Sequence, residues 1–193
     1  MTRLPRTLRL DPSDAVVFGR AAEPGEWAVP GGFEFWDEDP AALAGKRRQE
    51  FRAGFLGLAS FGWSTLVEVA EATPEQRAEA VAALAAHIRT AHGAPDEAAA
   101  RAAAAEEIGF AESLCEGHPP GTVLALSRAV EEGGGAVRER FRTLHRRAEP
   151  QRDFGRLPVF GVVSVEGEEE DGPAAEPTDG ERPDLAALAR GEG

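Results

Sequence analysis

The sequence predicts an α+β domain: an antiparallel sheet of hairpins, two long antiparallel helices packed on one face, and a disordered acidic C-terminal tail. Three observations lead there. Two adjacent stretches, Thr73 to Gly93 and Pro95 to Gly117, carry helix start and stop signals around apolar residues at helical spacing. Several short runs of apolar and alternating residues lie between turn-forming residues. Residues 166–193 hold ten acidic and two basic residues, −8 of the chain's formal −13, and almost no large apolar side chain. A chain of 193 residues with 42% hydrophobic content therefore divides into one domain over residues 1–165 and a tail over 166–193.

The elements follow in order. Thr7 to Phe18 reads as two short strands around a turn supplied by Asp11 and Pro12. Glu26 to Trp36 repeats the pattern, with Pro30-Gly31 suited to a type II turn. Asp39 to Gly54 reads as a short helix, capped by Asp39, with Pro40 at its first position, Gly54 at its end, and Leu43, Phe51 and Phe55 as its apolar side. Phe61, Trp63, Thr65, Val67 and Val69 then alternate with smaller or polar residues, which predicts a strand with one buried face. Gly54 and Gly57 mark the bend from helix into that strand.

Thr73 and Gln76 form a capping box, Pro74 takes the first helical position and Gly93 closes the helix, whose buried stripe is Val81, Leu84 and Ile88. The second helix is Ala-rich and buries Ile108, Ala111, Leu114 and Cys115. A connection this short makes the two helices antiparallel neighbours. Gly121 to Arg147 reads as a β-hairpin around Glu131 to Gly135, and Val159 to Val165 as a last strand. In the tail, Asp184 can cap a short segment in which Leu185 and Leu188 form one apolar edge, a docking element for its own domain or a partner.

The chemistry-bearing patterns are sparse. No Gly-rich loop is followed by Lys-Ser/Thr, and Ser60 misses the nucleophile-elbow spacing. No paired cysteines or metalloprotease histidine pair occur, so no cofactor and no metal are expected. His87 and His92 stand five apart, which places them on different faces of a helix. Cys115 on an apolar stripe reads as a small core residue. Glu106, Glu107 and Glu112 read as a solvated helix face, and Trp27, Trp36 and Trp63 as core aromatics. One strip stands out: Arg138, Arg140 and Arg142 share one strand face, opposite Val137, Phe141 and Thr143, and residues 138–156 balance at +4. With His145 these arginines are the candidate site for an anion or an acidic partner, the acidic run Glu166 to Asp171 included.

The stretches "LPRTLRLDPSD", "AAEPGEWAVPGGFEFW" and "FRAGFLGLASFGWSTLVEV" resemble an uncharacterised alphaproteobacterial family of small acidic stand-alone proteins that carries only a domain-of-unknown-function label. The resemblance covers nearly the whole chain. It implies a small stand-alone bacterial protein, associated with accessory genes around cofactor-ligase and redox-enzyme maturation, and supplies no activity, cofactor or catalytic residue.

The N-terminal stretch lacks a signal-peptide core and no apolar run reaches membrane-spanning length, which points to a cytoplasmic protein. Net acidity disfavours nucleic acid. The expected function is non-catalytic binding of another protein, as an adaptor or maturation factor. The alternative is a small enzyme or ligand-binding protein in which Trp63, Ser64 and the arginines converge on one concave anion site.

Overall fold

The computed structural model describes residues 1–131 and 136–144. The first strand, β1 (Thr2–Leu8), pairs antiparallel with β5 (Leu66–Ala72), from Thr2 opposite Ala72 to Leu8 opposite Leu66. On its other edge β5 takes β6 (Val123–Val130), and β6 pairs along its whole length with β7 (Val137–Leu144). The larger sheet thus has the order β1-β5-β6-β7. The hairpin expected around Glu131 is its β6-β7 half. A second, three-stranded sheet holds β2 (Ala28–Val29), β3 (Phe55–Gly57) and β4 (Trp63–Ser64) in that order. The fold is α+β with antiparallel sheets, as the sequence predicts.

Three local expectations are corrected. The run Ala15 to Phe18 is not a strand, because Ser13–Val17 forms the short helix α1. The Asp11 carboxylate accepts the Ser13 N–H and bends the chain at Pro12. One edge of β1 pairs with β5 and the other bridges Arg6 to Trp27, so a hairpin partner at 15–18 has no edge to join.

The second expected hairpin also fails. Val29 pairs with Leu56, and Gly31 at φ 71° turns the chain into a single 3-10 turn at Gly32–Phe35. The helix after it, α2 (Gly45–Ala53), begins later than expected. Asp39 caps only an isolated turn, its carboxylate accepting the Ala41 N–H, and Gly45 at φ 55° separates that turn from the helix.

The strand expected from Phe61 to Val69 is divided between two sheets. Trp63 and Ser64 pair with β3, while Leu66 onward pairs with β1 and β6. The buried Asp14 carboxylate holds the crossing point, accepting the Thr65 hydroxyl at 2.6 Å and the Thr65 N–H at 3.3 Å. Gly54 ends α2 as expected, but Gly57 lies within a strand the sequence reading did not contain.

The two long helices match their signals. In α3 (Pro74–Ala91) the Thr73 hydroxyl accepts the Gln76 N–H and the Gln76 side chain accepts the Thr73 N–H. In α4 (Glu97–Leu114) the Asp96 carboxylate caps the first turn at Ala99 N–H. Leu84 of α3 and Ala104, Ile108 and Ala111 of α4 are fully buried in one cluster with Leu4, Val29, Phe35, Phe51, Leu56 and Trp63. A smaller cluster joins Phe55, Val67, Val69, Leu124 and Leu126 to Cys115, just past the end of α4. The expected strand near 159–165, His145, the acidic tail and the Leu185 and Leu188 segment all lie outside the described residues. No helix among the described residues is long and apolar enough to cross a membrane.

Candidate functional site

The 3-10 turn after Gly31 gives its residues separate tasks. Phe35 points into the core. Phe33 and Trp36, three residues apart and therefore on one side of a 3-10 turn, face outward. Glu34 faces the C-terminal end of α3. The Arg47 guanidinium fixes the turn by lying 4.1 Å over the Phe35 ring and donating to the Glu34 carbonyl at 2.8 Å. From below, the buried Arg128 of β6 donates to the carbonyls of Pro30, Phe51 and Gly54 and pairs with Glu139 at 2.5 Å. Burial lowers the Arg128 guanidinium, while the charges of Glu139 and Glu107 oppose that fall.

Against this turn lies a groove of about 640 Å³, lined by Phe33, Trp36, Ile88, His92 and one face of α4. The α4 residues are Ala103, Glu106, Glu107 and Phe110, spaced as one side of a helix. Trp36 is 70% exposed and Phe110 41%. Phe110 is steadied by an edge-on contact with Phe141 at 5.8 Å. At the groove wall Glu107 accepts the Gly31 N–H at 3.2 Å. Burial pushes its carboxyl above the usual range, and the Glu139 charge adds to that.

Behind the groove a compact cluster forms. Glu34 Oε1 stands 2.6 Å from His87 Nε2 and 3.0 Å from His92 Nε2. The three side chains are only 15–17% exposed. Phe61 stacks flat on His87 with ring centroids 3.9 Å apart, and Phe33 meets His92 edge-on at 5.5 Å. Phe61 holds this position at φ 51°, a left-handed conformation that a bulky residue rarely adopts.

Several expectations change here. His87 and His92 do not point apart, because α3 ends at Ala91 and His92 is its C-cap at φ −112°, ψ 4°. Five-residue spacing puts side chains on different faces only while the helix continues. The Gly93 stop signal, already legible, places His92 outside that geometry. Glu34 had no local signal at all.

The acidic face of α4 is only partly solvated. Glu106 is exposed, Glu107 bonds to Gly31, and Glu112 receives Arg77 at 2.7 and 2.9 Å together with the Thr2 hydroxyl. The Arg77 bonds hold Glu112 below the usual carboxylate range. α4 packs on β1, and Glu107 reaches the backbone at Gly31. Of the tryptophans, Trp63 is core at 4% exposed, Trp27 is half-buried and Trp36 is on the surface. Cys115 is a buried core residue, and burial pushes its thiol up to about 12.

Arg138, Arg140 and Arg142 lie exposed on one face of β7, opposite Ala129, Ser127 and Ala125. Arg138 pairs with Glu131 at 2.9 Å. Arg138 and Arg140 border a shallow depression of about 470 Å³ with Ser127, Ala129, Val130 and Glu131. Trp63 and Ser64 do not line it, for both are buried, and Ser64 donates to the Leu66 carbonyl. Among the described residues, this depression does not bring Trp63 or Ser64 together with the arginines.

A family model described as a family of unknown function, DUF6505, matches residues 1–162. Among the curated proteins and among the solved structures, none matches the chain.

Proposed function

The chain belongs to this family of unknown function, and we propose that it is a cytoplasmic, non-catalytic accessory protein whose groove between α3, α4 and the Gly32–Phe35 turn receives an apolar segment of another protein. One observation supports this above the rest: Trp36 and Phe110, both large and both substantially exposed, stand on the rim of a groove with an apolar floor. Exposed aromatics around a recess are the usual anchors of a binding surface, whereas scattered exposed side chains are not.

The lining also favours one chemistry. Among the described residues, Glu106 and Glu107 are the carboxylates of the groove, and no Arg or Lys lines it. A segment with an apolar anchor beside a basic residue fits this arrangement, and an anionic ligand does not.

The test compares capture of proteins from the host by the full chain and by the Trp36→Ala/Phe110→Ala variant. Both side chains are exposed enough for the variant to melt close to the parent. The proposal expects a protein retained by the parent and lost by the variant. Equal recovery by both overturns it.

A further inference from the structure

We propose that Glu34, His87 and His92 form a binding site for one first-row divalent transition ion, of which Zn²⁺ is the reference case. The inference does not rest on the groove reading. Two imidazole nitrogens and a carboxylate oxygen come within 4.8 Å of one another. They belong to two separate elements, the Gly32–Phe35 turn and the end of α3, so the cluster is made by the fold rather than by local sequence.

The donor set decides the class of ion. Two histidines and a glutamate suit Zn²⁺ and Fe²⁺, whereas Mg²⁺ and Ca²⁺ prefer oxygen alone. The dimensions also fit. Bonds of about 2.0–2.2 Å in a tetrahedral site put neighbouring ligand atoms about 3.3 Å apart. The carboxylate oxygen now stands 2.6 and 3.0 Å from the two ring nitrogens. Metal binding needs these distances to widen by a few tenths of an ångström, and water would complete the coordination.

The surroundings hold the ligands ready. Phe61 clamps the His87 ring and Phe33 the His92 ring. Arg47 fixes the backbone that carries Glu34 by bonding its carbonyl. A strained residue such as Phe61, at φ 51° in contact with one of the ligands, is the kind of feature that persists where geometry is kept for function. His92 also lines the groove, so an ion here stands at the groove wall and stiffens it.

The experiment adds Zn²⁺, and Co²⁺ as a coloured substitute, to the full metal-free chain, with Mg²⁺ as the control. Calorimetry should show one Zn²⁺ per chain and no comparable Mg²⁺ binding, and Co²⁺ should develop visible absorption. Glu34→Gln and His92→Asn should each weaken Zn²⁺ binding at least tenfold. His118→Ala and Trp36→Ala/Phe110→Ala should leave it unchanged, which separates this site from the groove. Imidazole NMR of the unmutated chain guards against a variant that fails to fold, since Zn²⁺ should move the His87 and His92 signals and not that of His118. Absence of stoichiometric binding, full binding by Glu34→Gln and His92→Asn, or shifts confined to other residues would overturn the proposal.

Discussion

Phe61 lies parallel to the His87 imidazole, 3.9 Å between centroids and 10° between planes, and it does so from a backbone conformation that favours glycine. The ring contact and the backbone therefore oppose each other. Phe61→Ala removes the stack and keeps the strained φ. Phe61→Gly removes both. The usual order, in which Ala is the more stabilising of the two, should reverse here, with Gly ahead by about 1 kcal/mol. Thermal melting of the two variants measures it, and an Ala variant at least as stable as the Gly variant sinks the argument.

Trp63 packs against glycines at two positions. A Cβ added at Gly54 would stand 2.6 Å from Trp63 Cε3 and 2.7 Å from the Glu50 carbonyl, and one at Gly31 would stand 2.8 Å from Leu56 Cβ and 3.2 Å from Trp63 Cζ3. Small residues surround this stretch because a buried indole fills the space. Trp63→Ala should cost about 3–5 kcal/mol. Gly54→Ala should cost about 1–3 kcal/mol by overpacking, since one of its clashes is with backbone. Denaturant unfolding gives both numbers, and a Trp63→Ala variant of unchanged stability would show that the indole is not a core residue.

Arg128 ties the strand β6 to three backbone carbonyls and to Glu139 while only 3% exposed. Arg128→Met would leave Glu139 without its partner and the carbonyls of Pro30, Phe51 and Gly54 without their donor. The loss should be about 3–5 kcal/mol. Arg128→Lys should recover only part of it, because a single ammonium cannot span the positions that the planar fork reaches. If the Lys variant melts with the parent, one bond rather than the fork holds the turn after Gly31.

Elements with signals inside their own sequence were legible. The capping box at Thr73 and the stop at Gly93 act locally and α3 stands where they put it, while β6 and β7 stand on either side of the expected turn. Elements set by long-range pairing were not. The alternation from Phe61 to Val69 is genuine, yet Ser64 and Leu66 belong to different sheets because β3 and β1 compete for the same run. Ala15 to Val17 turns helical because both edges of β1 are taken. The groove was half-legible: Phe110 shares a helix face with Ala103, but Phe33 and Trp36 face it only because a 3-10 turn replaced a strand. Glu34 and His87 are 53 residues apart, and nothing in either segment foretells their contact.

Glu107 and Glu112 lie on the same helix and should respond to pH in opposite ways. Burial raises the Glu107 carboxyl above its ordinary 4.5, so folding favours its protonated form. That contribution is complete below the unfolded value and is lost as pH rises through the folded one. At neutral pH Glu107 is then a liability. Glu107→Gln, which keeps an oxygen to accept the Gly31 N–H, should melt at or above the parent at pH 7 and converge with it below about pH 4, under the unfolded carboxylate range.

The Arg77 bonds lower Glu112, so its contribution is present above the unfolded value and fades as pH falls through the folded one. Glu112→Gln should accordingly melt below the parent at pH 7, and the gap should close in acid. Melting curves of the parent and both variants from pH 3 to 8 decide it. A Glu107→Gln variant that melts below the parent by the same margin across the whole range would show that the charge of Glu107 does not set the stability of the groove wall.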